Sequence, residues 1–158
     1  MKMQLIAREE SDFENTKTVD HQSQISKVLI LDNDESVSGI LAGIVRRRFD
    51  KISIVPCKDG NHAMDELLLA DPVLFITDAA HAQLGDCILL AWIESRQASF
   101  PILVIAGDAT EGEMMGRFPS TLNLHVLSKP LSPIAIETYL SAVNPSNSEI
   151  NSPHHSSF

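Results

Sequence analysis

Several things are scarce in this chain of 158 residues, and each scarcity excludes something. Cysteine occurs twice, at Cys57 and Cys87, with no CxxC pair and no Cys/His spacing of the metal-binding kind. A disulfide scaffold and a zinc module are thereby excluded, and two separate reduced thiols in a reducing, cytoplasmic setting are the expectation. Positive charge is equally thin. Residues 1–25 hold three basic and five acidic side chains, residues 26–145 hold nine and fifteen, and the whole chain carries −9. No stretch is basic enough to follow a phosphate backbone, which argues against a nucleic-acid partner. Apolar runs are short throughout, so a membrane span and a secretory signal are not expected. What remains is a chain that is 44% hydrophobic and 21% charged, enough for one globular core with tails.

The apolar material arrives in short runs. Val73-Leu74-Phe75-Ile76-Thr77-Asp78 follows the breaker pair Asp71-Pro72 and predicts a strand buried on both faces. Its last residue is a carboxylate, placed at the strand edge where open α/β sheets collect their ligands. Lys27-Val28-Leu29-Ile30-Leu31 is a second such run and ends in Asp32-Asn33-Asp34-Glu35. Asn33 or Asp34 is positioned to cap the helix that follows. That helix carries Val37, Ile40, Leu41, Ile44, Val45 and Arg48 on one stripe, and Arg46-Arg47-Arg48 closes it. Lys51–Pro56 predicts a shorter strand, in which Pro56 marks either a sheet edge or the end of the strand.

Asp59-Gly60 opens a helix with Ala63, Met64, Leu67 and Leu68 on one face, and a later helix carries Ile88, Leu89, Trp92 and Ile93. Between them lies the loop 79–85 with a lone His81. A fourth strand is expected at Pro101–Ala106, a short polar helix near 110–117, and a fifth strand at Leu122–Leu127. Ser128-Lys129-Pro130 leads into a last helix with Ile134, Ile136, Leu140 and Val143. Residues 1–25 and 145–158 lack core-forming periodicity and are expected to form a flexible arm and a tail. Five strands alternating with five helices predict an α/β (βα)5 domain over 26–144, with one doubly wound parallel sheet. Its carboxyl edge would gather Asp32/Asn33, Pro56, Asp78, Ala106 and Lys129.

Asp32, Asp59-Gly60, Asp78 and Lys129-Pro130, in this order on this strand pattern, resemble the receiver domain of response regulators in two-component signalling. The resemblance covers roughly residues 26–144. It implies the flavodoxin-like sheet with strand order 2-1-3-4-5 and a cis Lys129-Pro130 bond. It further implies that Asp78 accepts a phosphoryl group from a histidine kinase or histidine phosphotransfer protein. Asp32, Asn33 and Asp78 would hold Mg²⁺, with Asp34 a further candidate, and Lys129 would face the phosphoryl oxygens. Physical chemistry agrees, because phosphoryl transfer asks mainly for position and charge compensation.

Three positions and one loop depart from that family's pattern. Asn33 stands where a second acid is usual, which removes a charge and implies weak Mg²⁺ binding. Ala106 stands where a hydroxyl ends the fourth strand, and Val126 where an aromatic switch residue sits in the fifth. Ala80-His81-Ala82-Gln83 replaces the usual loop after the acceptor. The resemblance therefore implies a divergent, stand-alone, non-enzymatic receiver that signals through a downstream protein partner. Because Ala106 and Val126 are degenerate as switch positions, its coupling across the surface 126–135 is expected to be weak.

Two other readings compete. One is a pseudo-receiver that binds its partner whatever the state of Asp78. The other is a haloacid-dehalogenase-like phosphatase built on the DxD of Asp32-Asn33-Asp34. The latter leaves Asp78 idle and finds only Glu137 and Glu149 as acids after Lys129.

Overall fold

The computed structural model describes residues 25–80, 88–107, 113, 116 and 118–143. Five strands form one parallel sheet: β1 (Lys27–Leu31), β2 (Ser53–Cys57), β3 (Leu74–Asp78), β4 (Ile102–Ala106) and β5 (Leu124–Ser128). Their order is β2-β1-β3-β4-β5, as the resemblance implies, with β3 at the centre. Every residue of β3 and β4 is buried, because helices cover both faces of the sheet. Pro56 lies inside β2 rather than ending it, which an edge strand tolerates.

Four helices are present among the described residues: α1 (Glu35–Arg48), α2 (Gly60–Leu69), α3 (Ile88–Ser95) and α4 (Pro133–Ala142). Their starts follow from polar side chains that accept otherwise unpaired N–H groups. Asp34 caps α1 by accepting from Ser36 and Val37, Asp59 caps α2 by accepting from His62, and Ser132 caps α4 by accepting from Ala135. The two faces of the sheet make two cores. Leu29, Leu31, Phe75, Val104 and Val126 pack under α2 and α3 on one side. Val28, Ile30, Ile76, Leu103 and Ile105 pack under α1 and α4 on the other. Alternate residues of each strand go to opposite layers, the two-residue period of extended chain.

Some expected faces are rotated. Ile40, Leu68, Ile88 and Ile134 are exposed by 55, 65, 55 and 75%, whereas Ala42, Leu90 and Phe49 are buried. Each exposed residue lies at the margin of its apolar stripe, and helical spacing locates a stripe without locating the line along which the sheet touches it. Arg48 also leaves its stripe: it is exposed, and its guanidinium lies 5.7 Å from the centroid of the Phe49 ring. β5 begins two residues later than expected. Leu122 is spent as a buried plug, its N–H bonded to the Pro119 carbonyl, before the chain extends.

No described helix is long and apolar enough to cross a membrane. Most of the expected helix near 110–117, the expected loop from His81 onward, Cys87, the arm apart from Ile25, and the tail lie outside the described residues.

Candidate functional site

Parallel strands deliver their last residues to one edge, and Asp78 and Lys129 meet there. Asp78 ends β3, surrounded by the apolar strands that buried the rest of it, and is only 8% exposed. Both of its oxygens are engaged. Oδ1 accepts from the Ala80 backbone N–H at 2.7 Å, and Oδ2 accepts from Lys129 Nζ at 2.6 Å. Burial of a carboxylate is costly unless it is paired and hydrogen-bonded, and this one is both.

Lys129 reaches Asp78 from just beyond β5, across β4. Its N–H is bonded to the Ala106 carbonyl at 2.7 Å, and the following Lys129–Pro130 peptide is cis. The hydrogen bond to Asp78 raises the ammonium pKa above its usual value; burial opposes this, and the charges of Asp78, Asp32 and Asp34 add to it. Lys129 is therefore a fixed cation at any ordinary pH.

Asp32 follows β1, whose register with β3 pairs Leu31 with Thr77. The next step along both strands sets Asp32 beside Asp78, on backbones about 5 Å apart. Its Oδ1 accepts from the Asp34 N–H at 2.8 Å, while its Oδ2 is buried without any hydrogen-bond partner. A buried carboxylate oxygen left unpartnered normally awaits a cation, a donor or water. Asn33 beside it is exposed. Asp34 turns the other way: its Oδ1 holds Ser36 N–H at 2.9 Å and Val37 N–H at 3.3 Å, so it serves the start of α1. Among the described residues no group of three or more His, Cys, Asp and Glu side chains converges as a metal cage. Asp32 and Asp78 offer two carboxylates at this edge, and Asn33 is next in the chain. That fits Mg²⁺, which takes one or two carboxylates and fills its remaining positions with water and phosphate oxygens.

The neighbouring half of the edge is apolar. Ala106 is fully buried at the end of β4, and Val126 is 1% exposed in the layer under α2 and α3, with Val104, Phe118 and Leu122. Neither side chain has a hydrogen-bonding group. One aromatic contact of the region falls outside the motif reading. His125 stacks on Tyr139 of α4, with ring centroids 4.9 Å apart and planes 12° apart. The only hint of it in the chain is that Tyr139 is the sole tyrosine and lies 14 residues from a strand histidine. The Ala80 donor likewise has no side-chain signature.

No family model and no curated protein matches the chain. Solved structures do match it. A response regulator receiver domain protein from Bacillus halodurans is 15% identical with a TM-score of 0.62, covering 77% of this chain and 99% of its own. A response regulator receiver domain from Francisella is 17% identical with a TM-score of 0.60, covering 75% and 95%. The N-terminal domain of an uncharacterised Wolinella succinogenes protein reaches 24% identity with a TM-score of 0.58, covering 74% and 91%. The chain thus has the receiver fold. The same fold also occurs inside longer proteins, since the similar region of NtrX from Brucella abortus is 25% of that chain.

Proposed function

We propose that this chain is a response regulator receiver that takes a phosphoryl group on Asp78 and acts through a protein partner. The observation that carries this reading is the edge itself. Asp78 is held by Lys129 at 2.6 Å while, one strand away, Asp32 keeps a buried oxygen unpartnered. A carboxylate oxygen of Asp78 attacks phosphorus, the P–N bond to the donor histidine breaks, and its electron pair stays on the imidazole nitrogen. The product is an acyl phosphate, short-lived enough to serve as a signal. Lys129 compensates the charge on the equatorial oxygens, and the Ala80 N–H orients the carboxylate. Asp32, Asp78 and the Asn33 amide oxygen would hold Mg²⁺ weakly. Bound there, the ion supplies the second positive charge against the phosphoryl oxygens. A histidine kinase or histidine phosphotransfer protein is the donor this chemistry fits. We read the domain as a signalling module and not an enzyme, a reading supported by its likeness in fold to receiver domains.

Intact-protein mass spectrometry after incubation with acetyl phosphate and Mg²⁺ tests the reading. One added phosphoryl group is expected on the wild type and none on Asp78→Asn. An unmodified wild-type protein under conditions that label an ordinary receiver would overturn it. That outcome would favour the phosphorylation-independent pseudo-receiver, a reading supported by the loss of any polar group at Ala106 and Val126.

A further inference from the structure

Building on Asp78 as the phosphoryl acceptor, we propose that its state is relayed across the sheet to α4 through Lys129, Leu127, His125 and the stacked ring of Tyr139. The two-residue period of β5 separates two routes. Val126 belongs to the layer under α2 and α3 and ends among aliphatic side chains. His125, Leu127 and, just past the strand, Lys129 alternate with it and share the opposite side. Leu127 and Tyr139 both pack on the layer under α1 and α4. The ring missing at position 126 is thus present one residue earlier, on the other face, and it rests on the last helix.

The route has a moving part at each end. Lys129 Nζ lies 2.6 Å from Asp78 Oδ2, so a phosphoryl group on Asp78 obliges the ammonium to move and take new oxygens. The backbone of Lys129 is tied to Ala106 and continues directly into Leu127 and His125. At the far end, rings only 12° from parallel make a contact that a displacement of about 0.5–1 Å weakens by a quarter to a half. Tyr139 sits between Ile136 and Leu140, both fully buried, so its displacement is felt in the seating of α4. The stack is a contact that differs between the two states of Asp78, which is what a ligand requires to shift an equilibrium. Its strength limits the coupling to about tenfold. The relay departs from the weak coupling expected over 126–135: Val126 would carry nothing, while Leu127 and Lys129 on the other face of the same strand would carry the signal.

The experiment is an NMR titration of the full chain with beryllofluoride in Mg²⁺, following the Asp78 and Ala80 amides together with the His125 and Tyr139 ring signals. The relay predicts one midpoint for all four. In His125→Leu the Tyr139 ring response should disappear while the Asp78 amide still shifts, and beryllofluoride affinity should change by up to about tenfold through reciprocal linkage. Tyr139→Phe keeps the ring and should behave as the wild type. Tyr139→Leu, read at the Ile136 and Leu140 amides, gives the same comparison should His125→Leu fail to fold. Shifts at Asp78 and Ala80 with silent rings, or an unchanged Tyr139 response in His125→Leu, would overturn the relay alone. Silence at Asp78 and Ala80 as well would defeat the acceptor reading, and the relay with it.

Discussion

β3 and β4 lie side by side in the sheet, equally buried, and end on opposite terms. β3 closes with a carboxylate whose two oxygens hold a backbone N–H and an ammonium. β4 closes with Ala106, which offers a methyl group to the α2–α3 layer and nothing to the edge. Charge stands at the end of β3, where the proposed phosphoryl chemistry would need it, and the end of β4 offers no hydroxyl to that edge. In the proposed function, binding and readout would then be separable: one would rest on Asp32, Asp78 and Lys129, the other on whichever side chains differ in contact between two states.

The sharpest way to break the contrast is to remove the cation. Lys129→Met leaves an almost buried carboxylate without its partner and should cost about 2–3 kcal/mol, discounted from the fully buried case because Lys129 is itself partly exposed. Urea unfolding at pH 7 checks this, and an unchanged midpoint would mean that Asp78 is held by the Ala80 N–H alone. The pH dependence has a definite sign. The folded-state pKa of Lys129 lies above 10.5, so its contribution is complete below that value and fades as pH rises through the raised one.

A smaller effect is expected from giving β4 its hydroxyl. Ala106→Thr puts two more heavy atoms into a fully buried position and should lose about 1–2 kcal/mol through overpacking, read as a lower thermal midpoint. A neutral substitution would show that room for the hydroxyl is already present and that the contrast between β3 and β4 is shallow.

Asn33→Asp adds one charge beside Asp32 and should tighten Mg²⁺ about tenfold, roughly 1.4 kcal/mol, by calorimetric or NMR titration. Equal affinities would mean that Asp34 leaves its cap to complete the site. The smallest effect belongs to the far end of α1. The exposed Arg47–Glu137 pair at 3.4 Å should change stability by less than about 0.5 kcal/mol in Arg47→Ala.

How much of this could be read from the chain depends on the kind of signal. β1 and β3 stand out because a run buried on both faces needs no knowledge of its neighbours. Asp78 and Lys129 follow, since parallel strands bring their ends to one edge whatever the helices do. Ile40, Leu68, Ile88 and Ile134 fall on the apolar stripes of their helices, yet the sheet does not reach them. Helical periodicity states that a stripe exists, while its centre is set by the angle at which the helix meets the strands. Asp34 was open between a cap and a ligand, and only the bonds to Ser36 and Val37 place it at the helix. The His125–Tyr139 stack depends on how α4 lies over β5, which no local pattern encodes.

The measurement that bears most directly on the contrast is the position of the phosphoryl group. The full chain, treated with a small phosphodonor and Mg²⁺, is reduced with borohydride, which turns an aspartyl phosphate into homoserine, and is then mapped by peptide mass spectrometry. Homoserine is expected at position 78 in the wild type, with its loss in Asp78→Asn and its persistence in Ala106→Thr. Homoserine at position 32 would contradict that expectation, making Asp32 the nucleophile and leaving the Asp78–Lys129 pair a structural contact.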